Sequence, residues 1–181
     1  MESIRAVEIY QPESDTWVAA ANMELGLSRF DSAVLGNKMY VTEGWTWPFM
    51  FSPRGGVYDL ERNTWSEMSQ GMREGWSGLS VVLGDKLFVI SEYGDCPMKM
   101  YVNDKDTWQY VGGDKFPRDA MQRPFAVSGV EERIYVVSCG LHVAIGKVVF
   151  EGVEVKVEWE VVVAPKAFQE LSPCNCQVLY A

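Results

Sequence analysis

The sequence contains a single histidine, His142, in 181 residues. No His-rich metal centre can therefore form, and a copper site would lack its ligands. The Gly-x-Ser-x-Gly elbow, the phosphate-binding loop and the Rossmann glycine pattern are all absent. Cys139 lies three residues from His142, a separation that rarely gives the geometry of a Cys–His nucleophile. We therefore expect no enzyme activity, no metal and no cofactor.

Positive charge is also scarce, with 16 Lys and Arg against 25 Asp and Glu and a net charge of -9. Nucleic acids and anionic membranes are bound by dense Lys and Arg clusters, so neither partner is expected. No apolar run approaches the roughly 18 residues of a membrane helix. The start, residues 1–5, has no signal-peptide pattern.

The four cysteines have no zinc-ligand spacing: Cys96, Cys139, Cys174 and Cys176. Cys174 and Cys176 are too close in sequence for a relaxed disulfide. Reduced thiols are therefore predicted, in a cytosolic or nuclear protein.

The sequence does contain an eight-residue segment that occurs three times, from a tyrosine to a Thr-Trp pair: Tyr10–Trp17, Tyr58–Trp65 and Tyr101–Trp108. Asp, Asn, Pro and Ser lie between the aromatics and favour a tight reversal. Each segment is therefore predicted to be a β-hairpin with large aromatics at its strand ends. Because one hairpin cannot bury its apolar face alone, the recurrence indicates repeats that pack on their neighbours.

A second marker keeps the same period. A Gly-Asn turn at 36–37 joins two apolar runs in residues 31–41, and the pattern returns at 79–90 and more loosely at 125–137. Aromatics in the second run are 48 and 47 residues apart: Tyr40, Phe88 and Tyr135. The tryptophans are 48, 43 and 51 residues apart: Trp17, Trp65, Trp108 and Trp159. Each period thus holds four strand signals, as a four-stranded antiparallel blade does.

The pattern of residues 33–41 followed by 57–65 resembles a kelch repeat, whose period is about 50 residues. The segment 171–181 resembles the C-terminus of plant F-box/kelch-repeat proteins. The resemblance implies an all-β fold, a partial kelch-type β-propeller of about three and a half four-stranded antiparallel blades. The kelch glycine doublet is decayed, however, and reads Glu43-Gly44, Ser91-Glu92 and Cys139-Gly140.

A single kelch-repeat domain is predicted over residues 1–181. It comprises a half blade at 7–24, blades at 25–72 and 73–117, a degenerate blade at 118–166 and a terminal strand at 167–181. In the degenerate blade, valines and Trp159 alternate with charged residues over 153–161, which predicts a half-buried strand. Such an arc does not close a ring. Either upstream residues are missing, which we favour because terminal repeats need caps, or a partner or second copy covers the arc.

The loop 45–55 is the most conspicuous candidate site, because Trp, Phe, Met and Arg are typical interface anchors. It either binds a protein or folds over the adjacent blade as a cap. Loops 91–97 and 138–142 are equivalent, and kelch adaptors bind partner peptides with this rim. Connections between blades carry Arg29, Arg73, Trp76, Arg118 and Arg123, and their arginines either capture a carboxylate or phosphate or are simply solvated. The candidate partner-binding residues are Trp45, Trp47, Phe49, Phe51, Arg54, Tyr93, His142, Arg29, Arg73, Trp76 and Arg123.

The resemblance implies a non-catalytic module that recognises a target protein or peptide for an SCF-type ubiquitin ligase. A SKP1-like adaptor is an expected partner only if an upstream F-box exists. The alternative is a free-standing kelch scaffold or competitor without ligase activity. An enzyme built on a propeller is a third hypothesis, but it lacks a cluster of nucleophiles or ligands.

Overall fold

The computed structural model of the protein describes residues 5–24, 26–27, 30–43, 53–91 and 94–179. Over these residues the chain is nearly all β, with one short α-helix and three three-residue 3-10 helices. The elements are β1 (Glu8–Gln11), β2 (Thr16–Ala19), β3 (Asp31–Leu35), β4 (Lys38–Thr42), β5 (Gly55–Asp59), β6 (Thr64–Glu67), α1 (Gln70–Gly75), β7 (Gly78–Leu83), β8 (Lys86–Ser91), β9 (Met98–Val102), β10 (Thr107–Tyr110), β11 (Gly112–Gly113), β12 (Gln122–Val130), β13 (Arg133–Cys139), β14 (Val143–Glu151) and β15 (Glu154–Val162). Within the described ranges, no helix is long and apolar enough to cross a membrane.

The chain divides into two compact units, Met1–Trp76 and Ser77–Ala181. The first unit contains the hairpin β1–β2 and an antiparallel sheet in the order β3-β4-β5-β6. The second contains an antiparallel sheet in the order β7-β8-β9-β10, and a sheet β12-β13-β14-β15 to which the short β11 adds a parallel edge. Because consecutive strands pair in each sheet, the predicted all-β class with four-stranded antiparallel blades is confirmed.

Each eight-residue segment is a hairpin held by an aromatic pair and a tyrosine hydroxyl. The facing rings have centroids 5.0–5.3 Å apart: Tyr10–Trp17, Tyr58–Trp65 and Tyr101–Trp108. The residue before the Thr-Trp pair has a left-handed backbone, with φ of 49–52°: Asp15, Asn63 and Asp106. Its side-chain oxygen accepts a hydrogen bond from the tyrosine hydroxyl at 2.7–2.8 Å. Asn and Asp tolerate the left-handed backbone region, which explains why one of these two residues precedes the Thr-Trp pair in each segment.

The hairpin β14–β15 is held differently. Phe150 takes the place of the tyrosine, so there is no hydroxyl to donate, and Gly152 has a φ of 62° in the turn. Instead, a ladder of nine residue pairs joins the two strands, from Val143 opposite Val162 to Glu151 opposite Glu154. The predicted alternation is confirmed for Val155 and Val157, which are buried. It is wrong for Val153, which is 88% exposed because it lies in the turn.

The core of the second unit is made by strands of both its sheets. Phe88, Ile134, Val136 and Ala144 are completely buried. At Gly129 an added Cβ would lie 2.5 Å from the Val81 side chain, so the glycine allows β12 to approach β7 closely.

The segment after β10 ties the two sheets of the second unit together. Gly112–Gly113 pairs in parallel with Lys156–Val157, and Asp114 continues the contact by donating its N–H to the Val157 carbonyl at 2.8 Å. The Asp114 carboxylate in turn accepts the Trp159 N–H at 3.2 Å. We call residues 112–114 the staple.

The first unit has a counterpart of this connection at Ala21. Its carbonyl accepts the indole N–H of Trp65 at 2.7 Å, and its N–H donates to the Asn63 side chain at 2.7 Å. The chain leaving β2 is therefore held on the sheet β3–β6 by two residues of the repeated eight-residue segment.

The predicted terminal strand is not present in the described residues 167–179. This segment follows a 3-10 helix, Lys166–Phe168, and has no paired strand. Its backbone is held against the residue after β13, because Gly140 donates its N–H to the Leu171 carbonyl at 2.8 Å. A strand needs a ladder of such bonds with a neighbouring strand, and the described residues 167–179 form none. This part of the prediction is wrong.

Candidate functional site

In the antiparallel sheet β3–β6, the loop between β4 and β5 and the connection after β6 leave from the same end of the strands. We refer to this end of the strands as the edge of the sheet. A groove of about 390 Å³ opens at that edge. We call it the rim groove, and its lining residues are Met23, Glu24, Leu27, Arg54, Gly55, Gly56, Trp65, Glu67 and Arg73. Two of the predicted arginines, Arg54 and Arg73, are thus brought together within one unit.

The guanidinium of Arg54 is occupied by a bidentate ion pair with Glu43. Its Nε and Nη2 donate to the two carboxylate oxygens at 2.8 and 2.7 Å, and its backbone N–H adds a third bond at 3.2 Å. These bonds hold the pKa of Glu43 below its usual range. The Glu43 side chain is only 13% exposed. The pair joins the residue after β4 to the residue before β5, and Arg54 also lines the groove.

We expect this pair to make stability depend on pH. A depressed folded-state pKa contributes stability above the unfolded value, about 4.3 for Glu, and that contribution is lost as the pH falls through the folded pKa. Urea denaturation between pH 3 and 7 should therefore show that acidification lowers the free energy of unfolding less in Glu43→Gln than in the wild type. Glu13→Gln, a change at an exposed residue outside the pair, is the control. Parallel curves for Glu43→Gln and the wild type would contradict the assignment.

Arg73 is less fully satisfied than Arg54. Its Nη1 donates to Glu67 at 3.1 Å, but the Glu67 side chain is 79% exposed. The Nε of Arg73 is buried and has no hydrogen-bond partner within the described part of the chain. Only 22% of the Arg73 side chain is exposed. A buried donor of a charged group without an acceptor is costly, so this N–H is a position where an acceptor would be stabilising.

Two glycines shape the apolar wall of the groove. An added Cβ at Gly56 would lie 3.1 Å from the Trp65 ring, and one at Gly55 would lie 3.0 Å from the end of Met68. The start of β5 therefore lets the indole lie close against the backbone. Trp65 holds Ala21 through its indole N–H, and its side chain also lines the groove.

The predicted site residues of the second unit lie at corresponding edges of its sheets. His142 accepts the Ala164 N–H on its Nδ1 at 3.0 Å, and it lines a groove of about 420 Å³ together with Cys139 and Lys166. Arg123 is exposed, with its Nη2 3.7 Å from the Cys96 sulfur.

The structure places Trp76 in the core. It is completely buried, and its indole N–H donates to the Asp31 carboxylate at 3.0 Å. Its side chain has no surface to offer a partner, so we remove it from the binding candidates. The remaining candidates lie outside the described residues and stay predictions: Arg29, Trp45, Trp47, Phe49, Phe51 and Tyr93.

Sequence reasoning missed Glu43 and Glu67 as members of the site. The position of Glu43 just before the aromatic loop, matched by Arg54 just after it, was a usable signal. Within the described ranges, no group of three or more His, Cys, Asp or Glu side chains is arranged to hold a metal ion. The four cysteines are free thiols.

Comparisons with known proteins agree with the geometry. No family model matches the chain. The F-box protein AFR of Arabidopsis thaliana is 52% identical over 181 residues, which is 99% of this chain and 48% of that protein. An F-box/kelch-repeat protein of the same plant is 42% identical over 174 residues, or 96% of this chain and 44% of that protein. The chain thus spans about half the length of these curated relatives.

The solved structure of YjhT matches with a TM-score of 0.58 at 14% identity, covering 92% of this chain and 60% of that one. At this identity the match concerns the fold alone, and it agrees with the predicted partial kelch-type β-propeller, which is confirmed. Over nearly its whole length, this chain is therefore similar to about half of each of two F-box proteins of Arabidopsis thaliana, one of them an F-box/kelch-repeat protein.

Proposed function

We propose that the chain is a non-catalytic protein-interaction module that recognises a target protein or peptide. The observation that carries this proposal is the rim groove, which is lined both by the apolar ring of Trp65 and by the cationic side chain of Arg73. Rigid sheets that hold variable connections at one edge are a common arrangement for recognition. Loop 45–55, whose sequence is rich in interface anchors, leaves from the same edge.

The finer proposal concerns a longer protein that contains this chain. Its curated relatives carry F-box in their names and are about twice as long as this chain. In such a protein the blades would hold the target, and an F-box elsewhere would bind a SKP1-like adaptor of an SCF-type ubiquitin ligase. We place this activity in the cytosol or the nucleus.

Partner capture tests the module. The immobilised chain is incubated with a plant extract, and bound proteins are covalently cross-linked to it and identified. Each identified protein is then expressed, and its binding to the purified chain is measured by titration. Trp47→Ala with Phe49→Ala should weaken binding of that purified partner about tenfold or more, because a few aromatic anchors carry most interface energy. Leu60→Ala, at an exposed position in the β5–β6 turn, is the control and should bind normally.

The outcomes separate the hypotheses for loop 45–55. An unchanged melting temperature with lost binding supports a binding loop, whereas loss of solubility supports a cap over the blade. A wild-type chain that binds no purified partner would contradict the module. A longer form that binds the target but neither binds a SKP1-like adaptor nor supports ubiquitin transfer would contradict the ligase role and leave a scaffold or competitor.

A further inference from the structure

We propose that the rim groove takes an extended peptide in which a carboxylate side chain is adjacent to an apolar one, with Arg73 as the carboxylate anchor. This inference rests on the proposed function, because it names the class of peptide that the module would recognise. Three features of the groove carry it: the state of Arg73, the state of Arg54 and the apolar wall.

Arg73 has a cationic donor that the described residues of its unit leave unpaired. The Nε is buried without a hydrogen-bond partner among the described residues, while Nη1 donates to Glu67. Because Glu67 is 79% exposed, that ion pair is well solvated and contributes little. A carboxylate in the groove would form a charge-assisted hydrogen bond with the accessible part of the Arg73 guanidinium, whose present partner is a solvated carboxylate.

Arg54 does not compete for this role. Its Nε and Nη2 are both taken by Glu43, at 2.8 and 2.7 Å. Among the described residues, the groove therefore offers one cationic anchor rather than two. Glu24 and Glu67 also line it. A single anchor beside two acidic residues suits a carboxylate of one negative charge better than a phosphate that carries nearly two.

The rest of the groove favours an apolar neighbour for that carboxylate. Met23, Leu27 and Trp65 contribute apolar side chains, and the two glycines at the start of β5 carry no side chain that would fill the space. The volume, about 390 Å³, lies near the lower end of known ligand pockets. It fits a short stretch of extended peptide rather than a folded surface.

The test measures binding of fluorescein-labelled peptides of the form Gly-Leu-X-Leu-Gly to the whole chain by fluorescence anisotropy, with X as Glu, Gln, Lys or phosphoserine. The Glu peptide should bind about tenfold or more tightly than the Gln peptide, since only Glu pairs its charge with Arg73. Arg73→Met should abolish this preference. Arg62→Met is the matched control, because Arg62 is 79% exposed and pairs with Asp59 rather than with groove residues, and it should keep the preference.

Arg73→Glu guards against a variant that simply unfolds. If it folds, with a melting temperature near that of the wild type, it should prefer the Lys peptide over the Glu peptide. Equal binding of the Glu and Gln peptides by the wild type, no measurable binding of the Glu peptide, or an Arg73→Met variant that keeps the preference would each overturn the inference. Tighter binding of the phosphoserine peptide would also overturn it, in favour of a phosphopeptide site.

Failure here is distinguishable from failure of the proposed function. Binding of a purified natural partner is measured without reference to any anion. A chain that binds its partner but treats Glu and Gln peptides alike keeps its role as a module and loses only this anchor.

Discussion

Gly113→Ala should destabilise the second unit by about 2–4 kcal/mol, whereas Gly112→Ala should change its stability by less than about 1 kcal/mol. Gly113 has a φ of 89°, and an added Cβ would lie 2.3 Å from the Val157 carbonyl oxygen and 2.9 Å from the Val157 nitrogen. At Gly112 the nearest atoms would lie 3.6 Å away, which is ordinary contact. The added Cβ at Gly113 would clash with backbone atoms of Val157, so no side chain could move aside to relieve the clash.

Urea denaturation followed by near-ultraviolet circular dichroism gives the two free energies of unfolding. Proteolysis within 112–121 adds a local readout, because loss of the staple should release the connection between the two sheets of the second unit. Equal stability of the two variants would contradict the role of the staple. A Gly112→Ala variant that is less stable than Gly113→Ala would also contradict this role.

Phe88→Ala should have a larger effect, a loss of about 3–5 kcal/mol in the second unit. Phe88 on β8 is completely buried, and its ring centroid lies 6.4 Å from that of Phe150 on β14. Removing the ring would cost its transfer free energy and leave a cavity between the two sheets of this unit. Tyr110→Ala is the control, because Tyr110 is 70% exposed, and it should change stability by about 0.5 kcal/mol or less.

The measurement is again chemical denaturation, with the first unit as an internal reference. Phe88→Ala should shift the transition of the second unit and leave that of the first in place, if the two melt separately. A loss below about 1 kcal/mol would mean that the two sheets do not share the core assigned to them. Phe88→Leu, which keeps most of the volume, should cost less than the alanine variant.

Much of the blade pattern could be predicted because its signals are local. The three segments ending in a Thr-Trp pair are found as β1–β2, β5–β6 and β9–β10, each with the tyrosine facing the tryptophan. A tyrosine, a residue that tolerates a left-handed backbone and a tryptophan within eight positions are enough to specify such a hairpin. The Gly-Asn turn likewise predicted β3–β4, where Gly36 has a φ of 56°.

The misses share a different cause. The terminal strand over 167–181 was predicted by continuing the repeat, but the described residues 167–179 pair with no strand, and pairing depends on residues that are distant in sequence. Trp76 was assigned to a surface connection, and instead it follows α1 into the core to reach Asp31. The helix Gln70–Gly75 carries no strong capping signal, so it too was missed.

The sequence by itself determined the class of this protein: β-hairpins, a period near 48 residues and the resemblance to plant F-box/kelch-repeat proteins. Only the tertiary structure decided which arginine has an N–H donor that the described residues leave without an acceptor. Arg54 and Arg73 both lie at blade connections and look alike in sequence. Arg54 is neutralised by Glu43, whereas Arg73 has a buried N–H for which the described residues supply no acceptor. That difference depends on burial and on atoms brought together from separate strands, which sequence spacing does not encode.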